Sequence, residues 1–286
     1  MARPTAITNA AASLIGPYNG SNKAIQMLTD GRGQASSSIE RGQIDLALCG
    51  SLARAERWDE LMTVAKRLVS TRPFESEGLR FMTKAAGTSG NWRELQVEAE
   101  RKLKSATGDR DALRAMATSK IQSGDRDGAA RYLKRLTDSP YAGPEDVQFE
   151  AWNALLSGKA DKDLLTKFEK WSEIPELASA EYLYTFGMLQ VFVGAADDAQ
   201  RSLIKALDRD YEGAQKAIPW VLASKIDEGY GLADAASSAG KNAAKCAPSD
   251  DISKWALSLV NTTKMADDRL PTPKTANKAI SPPVTE

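Results

Sequence analysis

Histidine is absent from this 286-residue chain. That removes the commonest general base, the commonest metal ligand and every Ser-His or Cys-His nucleophile pair. Few other arrangements could do chemistry. Asp125-Arg126-Asp127-Gly128 opens like a calcium loop. It lacks both the third oxygen ligand before the glycine and the bidentate Glu that closes such a loop, so it reads as a turn between helices. Gly31-Arg32-Gly33 and Gly87-Thr88-Ser89-Gly90 are not followed by Gly-Lys-Ser/Thr, so neither forms a phosphate cradle. Without His, a serine nucleophile would need a lysine base, and no Ser-x-x-Lys stands in a pocket-forming context. The carboxylate pairs Glu98 with Glu100 and Asp197 with Asp198 read as solvated helix faces rather than as an acid/base dyad. Cys49 and Cys246 are isolated thiols, which suit neither a disulfide framework nor the paired soft ligands of a zinc site. The expectation is a chain with no catalytic residue, no metal and no cofactor.

Composition narrows the class further. Lys plus Arg and Asp plus Glu both number 38, so the formal charge is zero, against the basic excess of a nucleic-acid binder. Hydrophobic residues make up 42% and charged residues 27%, ordinary for a globular chain of one large or two small domains. No apolar run approaches the roughly 20 residues that span a bilayer. The start, Met1 to Ile15, is too short and polar for a secretory signal. The sequence therefore predicts no membrane insertion and a cytoplasmic location by default, or export if the chain is part of a longer precursor.

With little chemistry to place, the informative feature is spacing. Trp58 in Glu56-Arg57-Trp58-Asp59-Glu60-Leu61 and Trp92 in Gly90-Asn91-Trp92-Arg93-Glu94-Leu95 stand 34 residues apart. The same step leads to Gly124-Asp125-Arg126, then to Gly158-Lys159-Ala160, and with a slip of two to Gly194-Ala195-Ala196. Each turn lies between two helical patterns. Leu61, Val64, Ala65 and Leu68 follow the first at i, i+3, i+4 and i+7, one apolar stripe along a helix. Leu183, Phe186 and Gly187 precede the fifth, and Ala199, Leu203, Ala206 and Leu207 follow it. A small residue after Phe186 allows two helices of a hairpin to approach closely. Trp58 and Trp92 would begin second helices, wedged against the neighbouring hairpin.

These residues resemble the tetratricopeptide repeat family, whose pattern is Trp-x2-Leu-Gly-x2-Tyr, then Ala-x3-Phe, then Pro. Leu183-x2-Phe186-Gly187 with Ala199-x3-Leu203-x2-Ala206 fits it. So do Asp45-x2-Leu48-Cys49-x2-Leu52 with Leu61-x3-Ala65-x2-Leu68 and Pro73, and Leu113-x2-Met116-Ala117 with Ala129-x3-Leu133-x2-Leu136. The unit from Ser76 to Asp109 fits through Leu79, Met82, Leu95 and Ala99. The unit from Pro144 departs from the pattern: Asp163 stands where a small residue is expected, and Leu164, Leu165, Phe168 and Trp171 have drifted in register. An irregular all-α domain or a HEAT-like array competes with this reading, and the constant step counts against both.

The resemblance implies an all-α fold, a right-handed α-solenoid of antiparallel helix hairpins. The expected organisation is an N-terminal helical segment over 1–41, five repeats over 42–213 with the one at 144–179 degenerate, and a sixth hairpin over 214–248. A capping helix over 249–268 and a disordered tail over 269–286 complete it. Within 1–41 the reading is a helix from Thr5 to Ile15, a second from Asn22 to Leu28, and a Gly/Ser loop from Gly31 to Ser38. Pro219 marks a kink or a late start in the sixth hairpin. The final helix carries Ile252, Trp255, Ala256, Leu259 and Val260 on one face.

In such a fold the first helices of successive hairpins line a concave face that meets ligands. Register places Arg54, Arg80, Lys84, Arg114 and Gln122 there in the first three units, then Trp152, Tyr184 and Phe192. The expected function is a non-catalytic scaffold that docks an acidic peptide or protein surface, with cations steering and aromatics anchoring. The competing expectation is a regulatory or assembly domain of a longer bacterial-type protein.

Overall fold

The structure, a computed structural model, describes residues 20–172, 174, 179–209 and 217–246. The expected helix at Thr5 to Ile15, the capping helix and the tail lie outside these residues. Among the described residues there are thirteen helices and no strand. The chain divides into two compact units, residues 1–139 and 140–286.

The first unit holds α1 (Gly20–Gly33) and three hairpins: α2 (Ser38–Arg54) with α3 (Trp58–Val69), α4 (Glu75–Ser89) with α5 (Trp92–Ser105), and α6 (Arg110–Gln122) with α7 (Arg126–Thr137). The starts of these helices follow from local chemistry. Ser37 and Glu40 form a reciprocal capping box on α2, with Ser37 Oγ accepting from Glu40 N at 3.1 Å and Glu40 Oε2 accepting from Ser37 N at 3.2 Å. Asp109 and Asp125 cap α6 and α7 by accepting from Ala112 N and Gly128 N. The stretch that resembled a calcium loop is thus a helix cap, and its Asp125 also pairs with Lys120 at 3.1 Å.

One glycine-rich segment behaves differently from expectation. The helix α1 runs on to Gly33, where a loop from Gly31 was expected. Gly31 is buried, and Arg32 is held in the last turn by an ion pair to Asp45 at 2.7 Å. Tertiary contacts override the weak helix propensity of the two glycines.

The second unit holds α8 (Pro144–Ser157) with α9 (Lys162–Ser172), α10 (Ala180–Phe192) with α11 (Ala196–Leu207), and α12 (Ala217–Gly229) with α13 (Ala233–Cys246). Ser179 caps α10 and Asp161 caps α9. Pro219 falls in the first turn of α12, where its missing N–H removes no helical hydrogen bond. In the hairpin that departs from the repeat pattern, α9 buries Leu164 and Phe168, leaves Leu165 and Trp171 half-buried, and exposes Asp163.

The turn inside each hairpin has one recurring element. Gly90, Gly124, Gly158, Gly194 and Gly231 all have positive φ, between 64° and 87°. Four of them stand two residues before the second helix, and Gly158 stands four before it. The first hairpin uses Glu56 at the same place, with φ 56°. A left-handed residue two positions before the helix reverses the chain, and glycine adopts that conformation without a Cβ penalty.

Close helix approach is also set by absent side chains. A Cβ on Gly78 would lie 2.5 Å from Val69 N and 3.0 Å from Ala65 O, so α3 and α4 meet nearly backbone to backbone. A Cβ on Gly187 would meet Leu203 at 3.1 Å, the α10–α11 contact foreseen for the small residue after Phe186. Trp58 and Trp92 open α3 and α5 and pack half-buried against the core of the first unit.

Candidate functional site

The first helices of the first unit each leave one lengthwise row outside the core. On α2 this row is Gln43, Leu46, Ala47, Gly50 and Arg54; on α4 it is Glu77, Arg80, Phe81, Lys84 and Thr88; on α6 it is Asp111, Arg114, Thr118, Ile121 and Gln122. The spacing of three or four residues is what a helix gives when its opposite stripe is buried. Here those buried stripes are Leu48 with Leu52, Leu79 with Met82, and Leu113 with Met116. The three rows mix apolar residues with four cations, Arg54, Arg80, Lys84 and Arg114, against two carboxylates, Glu77 and Asp111.

The five expected residues of this unit stand in these rows in different ways. Arg54, Lys84 and Gln122 are exposed, and Arg114 is half-buried. Arg80 is exposed but donates from Nε to Asp111 Oδ1 at 2.9 Å, which joins the outward rows of α4 and α6 side by side. Its charge is therefore partly matched already, a correction to its expected role as an open cation.

The second unit corrects the expectation more strongly. Tyr184 and Phe192 are 4% and 3% exposed and belong to the hydrophobic core. Trp152 is half-buried and meets Tyr184 edge to face at 6.2 Å across α8 and α10. The physical reason lies in α10 itself. Every residue from Tyr182 to Phe192 is buried, including Thr185, Gly187 and Gln190, so this helix has no outward row. Phe168 and Tyr182 stack at 3.9 Å, Phe186 lies 5.8 Å from Phe168, and the Tyr182 hydroxyl donates to Phe168 O at 2.8 Å.

Sequence reasoning also missed a buried ionic cluster. Asp45 stands where the repeat pattern has Trp and is 1% exposed. It accepts from Arg32 Nε of α1 at 2.7 Å and from Arg67 Nη2 of α3 at 2.9 Å. Glu98, expected as a solvated face, is 8% exposed and accepts from Arg101 Nε at 2.8 Å. The readable signal for Asp45 was a carboxylate between Ile44 and Leu48, inside an apolar register.

Cys49 is buried, and burial beside Asp45 pushes its thiol up to about 12, far from the thiolate range. Among the described residues no three His, Cys, Asp or Glu side chains are placed to hold a metal ion. No described helix is long and apolar enough to cross a membrane.

An all-α repeat of antiparallel hairpins with left-handed turns near a 34-residue step defines a helical-repeat protein of the tetratricopeptide type in its fold. The fold is similar to a crystal structure of a tetratricopeptide repeat protein from Parabacteroides merdae, with a TM-score of 0.58 and 13% sequence identity over 91% of this chain and 99% of that one. No protein-family profile and no curated protein matches the sequence.

Proposed function

We propose that the chain is a non-catalytic interaction scaffold, and that its docking site is the outward face of α2, α4 and α6. The observation that carries this reading is the set of outward rows, those of α4 and α6 joined by Arg80 and Asp111, which hold exposed Arg54 and Lys84 and half-buried Leu46, Phe81 and Ile121. Such a surface suits an acidic, amphipathic segment of a protein partner: its carboxylates meet the cations and its apolar residues lie on the aliphatic and aromatic floor. Gln122 and Arg114 extend the face along α6. The similarity in fold to a tetratricopeptide repeat protein supports a scaffold role by analogy of architecture. Of the expected aromatics of the second unit, Trp152 alone is not fully buried.

The test is titration of the whole chain with two labelled helical peptides, one of Glu and Leu and one of Lys and Leu with the same spacing. Tighter binding of the acidic peptide, weakened about tenfold or more by Arg54→Glu with Lys84→Glu, is the expected result. Equal binding of both peptides, or an acidic peptide unaffected by the double change, refutes the site.

A further inference from the structure

The last described hairpin is joined to α11 by two side-chain hydrogen bonds. Asp227, on α12, is 2% exposed. Its carboxyl accepts from Gln200 Nε2 of α11 at 3.2 Å, and among the described residues it has no other hydrogen bond and no ion pair. Three residues on, the Tyr230 hydroxyl donates to Asp197 of α11. These two side-chain bonds tie one edge of α12 to α11.

Among the described residues, charge around Asp227 offers it no compensation. On α11, Asp197, Arg201 and Lys205 are exposed, and Arg201 is held by Asp198. On α13, Asp234, Lys241 and Lys245 are all exposed. On α10 the only charged residue is Glu181, in its first turn. Next to Asp227 on α12, Glu228 is exposed. Among the described side chains, then, an ionised Asp227 meets a neutral amide, a neutral hydroxyl and, beyond that hydroxyl, a second carboxylate. A buried carboxylate without a cation is disfavoured, whereas a carboxylic acid is compatible with burial and adds a donor. The Gln200 side-chain oxygen accepts from no described residue, so an acid proton on Asp227 has an acceptor within the same pair.

We propose that the contact between α11 and α12 is a proton-operated latch, closed when Asp227 is protonated and loosened when it ionises. Burial pushes the Asp227 carboxyl up to about 6, with the Gln200 hydrogen bond opposing in part. The group keeps its proton longer in the folded hairpin than in the opened one. The latch is therefore fully closed below about pH 4 and weakens as pH rises through about 6. The α12–α13 hairpin is thus the part of the second unit whose docking responds to mild acidification.

The experiment is hydrogen exchange of the intact chain at pH 4.5 and pH 7.5, corrected for intrinsic rates, with Asp227→Asn beside the unchanged protein. In the unchanged protein, protection of α12 amides should fall by about tenfold or more between the two pH values, and in Asp227→Asn it should stay level. Parallel profiles in both proteins overturn the proposal. A carbon-13 titration of the Asp227 carboxyl tests it without any variant: a midpoint near 6 supports the latch, and one in the ordinary carboxylate range overturns it.

Discussion

The two units share a hairpin plan and differ in what ties their helices to one another. In the first, charged side chains reach between helices: Arg32 and Arg67 to Asp45, Lys102 to Glu75 at 2.7 Å and to Asp109 at 3.7 Å, and Arg80 to Asp111. Arg135 also donates to Thr107 O and Arg101 to Val69 O. In the second, the ties between helices include the Phe168–Tyr182 stack, the Gln190–Ser202 and Gln200–Asp227 bonds, Tyr230 on Asp197, Ser224 on Ala236 O at 2.9 Å, and Lys167 on Glu150 at 3.6 Å. A helix buried on every side from Tyr182 onward, α10, lies in the core of the second unit, and no helix of the first is buried all round. One plan thus serves two ends: a unit with outward cationic rows, and a unit closed around a buried helix.

That contrast can be broken first at the centre of the second unit. Phe168→Ala removes a fully buried ring stacked on Tyr182 and is expected to destabilise the second unit by about 3–5 kcal/mol in urea unfolding. A loss under about 1 kcal/mol would show that the stack is not what holds that unit. Next come the two close helix approaches. Gly78→Ala drives a methyl into backbone and should destabilise by about 2–3 kcal/mol, whereas Gly187→Ala meets the movable end of Leu203 and should cost about 1 kcal/mol. Equal losses would mean that α3 and α4 can part as readily as α10 and α11.

The pH response separates the units by sign. Lys102 holds the Glu75 carboxyl below its ordinary range, and Ser36 and Ser37 do the same for Glu40. Their stabilising effect is present above about pH 4.5 and is lost as pH falls through their lowered values. Asp227 acts in the reverse direction. On lowering pH from 7 to 4, protection from hydrogen exchange should rise in α12 and fall in α4 and α5. Movement in the same direction in both would erase the distinction. The smallest effect belongs to the first turn. Glu56→Gly relieves a left-handed non-glycine residue and should stabilise the first unit by about 1 kcal/mol, read as a higher melting temperature.

The fold was legible because its punctuation is local. Glycine turns, aspartate and serine caps, and apolar rows at helical spacing are written within a few residues of where they act. The outward positions of the first unit were legible for the same reason: Arg54, Lys84 and Gln122 lie opposite buried rows that the sequence shows. It was not legible at Tyr184 and Phe192, because register alone gives the side of a helix and not what covers it. The run from Tyr182 to Phe192 contained the correction, since a helix with no polar face belongs inside. Asp45 with Arg32 and Arg67 stayed hidden because the partners lie 13 and 22 residues away on other helices. Nothing in short-range pattern chooses them.

The left-handed turn residues also act as a ruler. Glu56, Gly90, Gly124 and Gly158 are evenly spaced by 34, and the next intervals, to Gly194 and Gly231, are 36 and 37. The turns inside hairpins stay at two to four residues, whereas α3 and α4 are joined by five residues and α7 and α8 by six. The joints between hairpins in the first unit and after it thus vary, from four residues between α5 and α6 to six, while the 34-residue step and the reversals within hairpins are kept. A sequence built this way can accept insertions at one class of connection without re-registering a helix pair. Those joints are where a graft or a tag would disturb the molecule least.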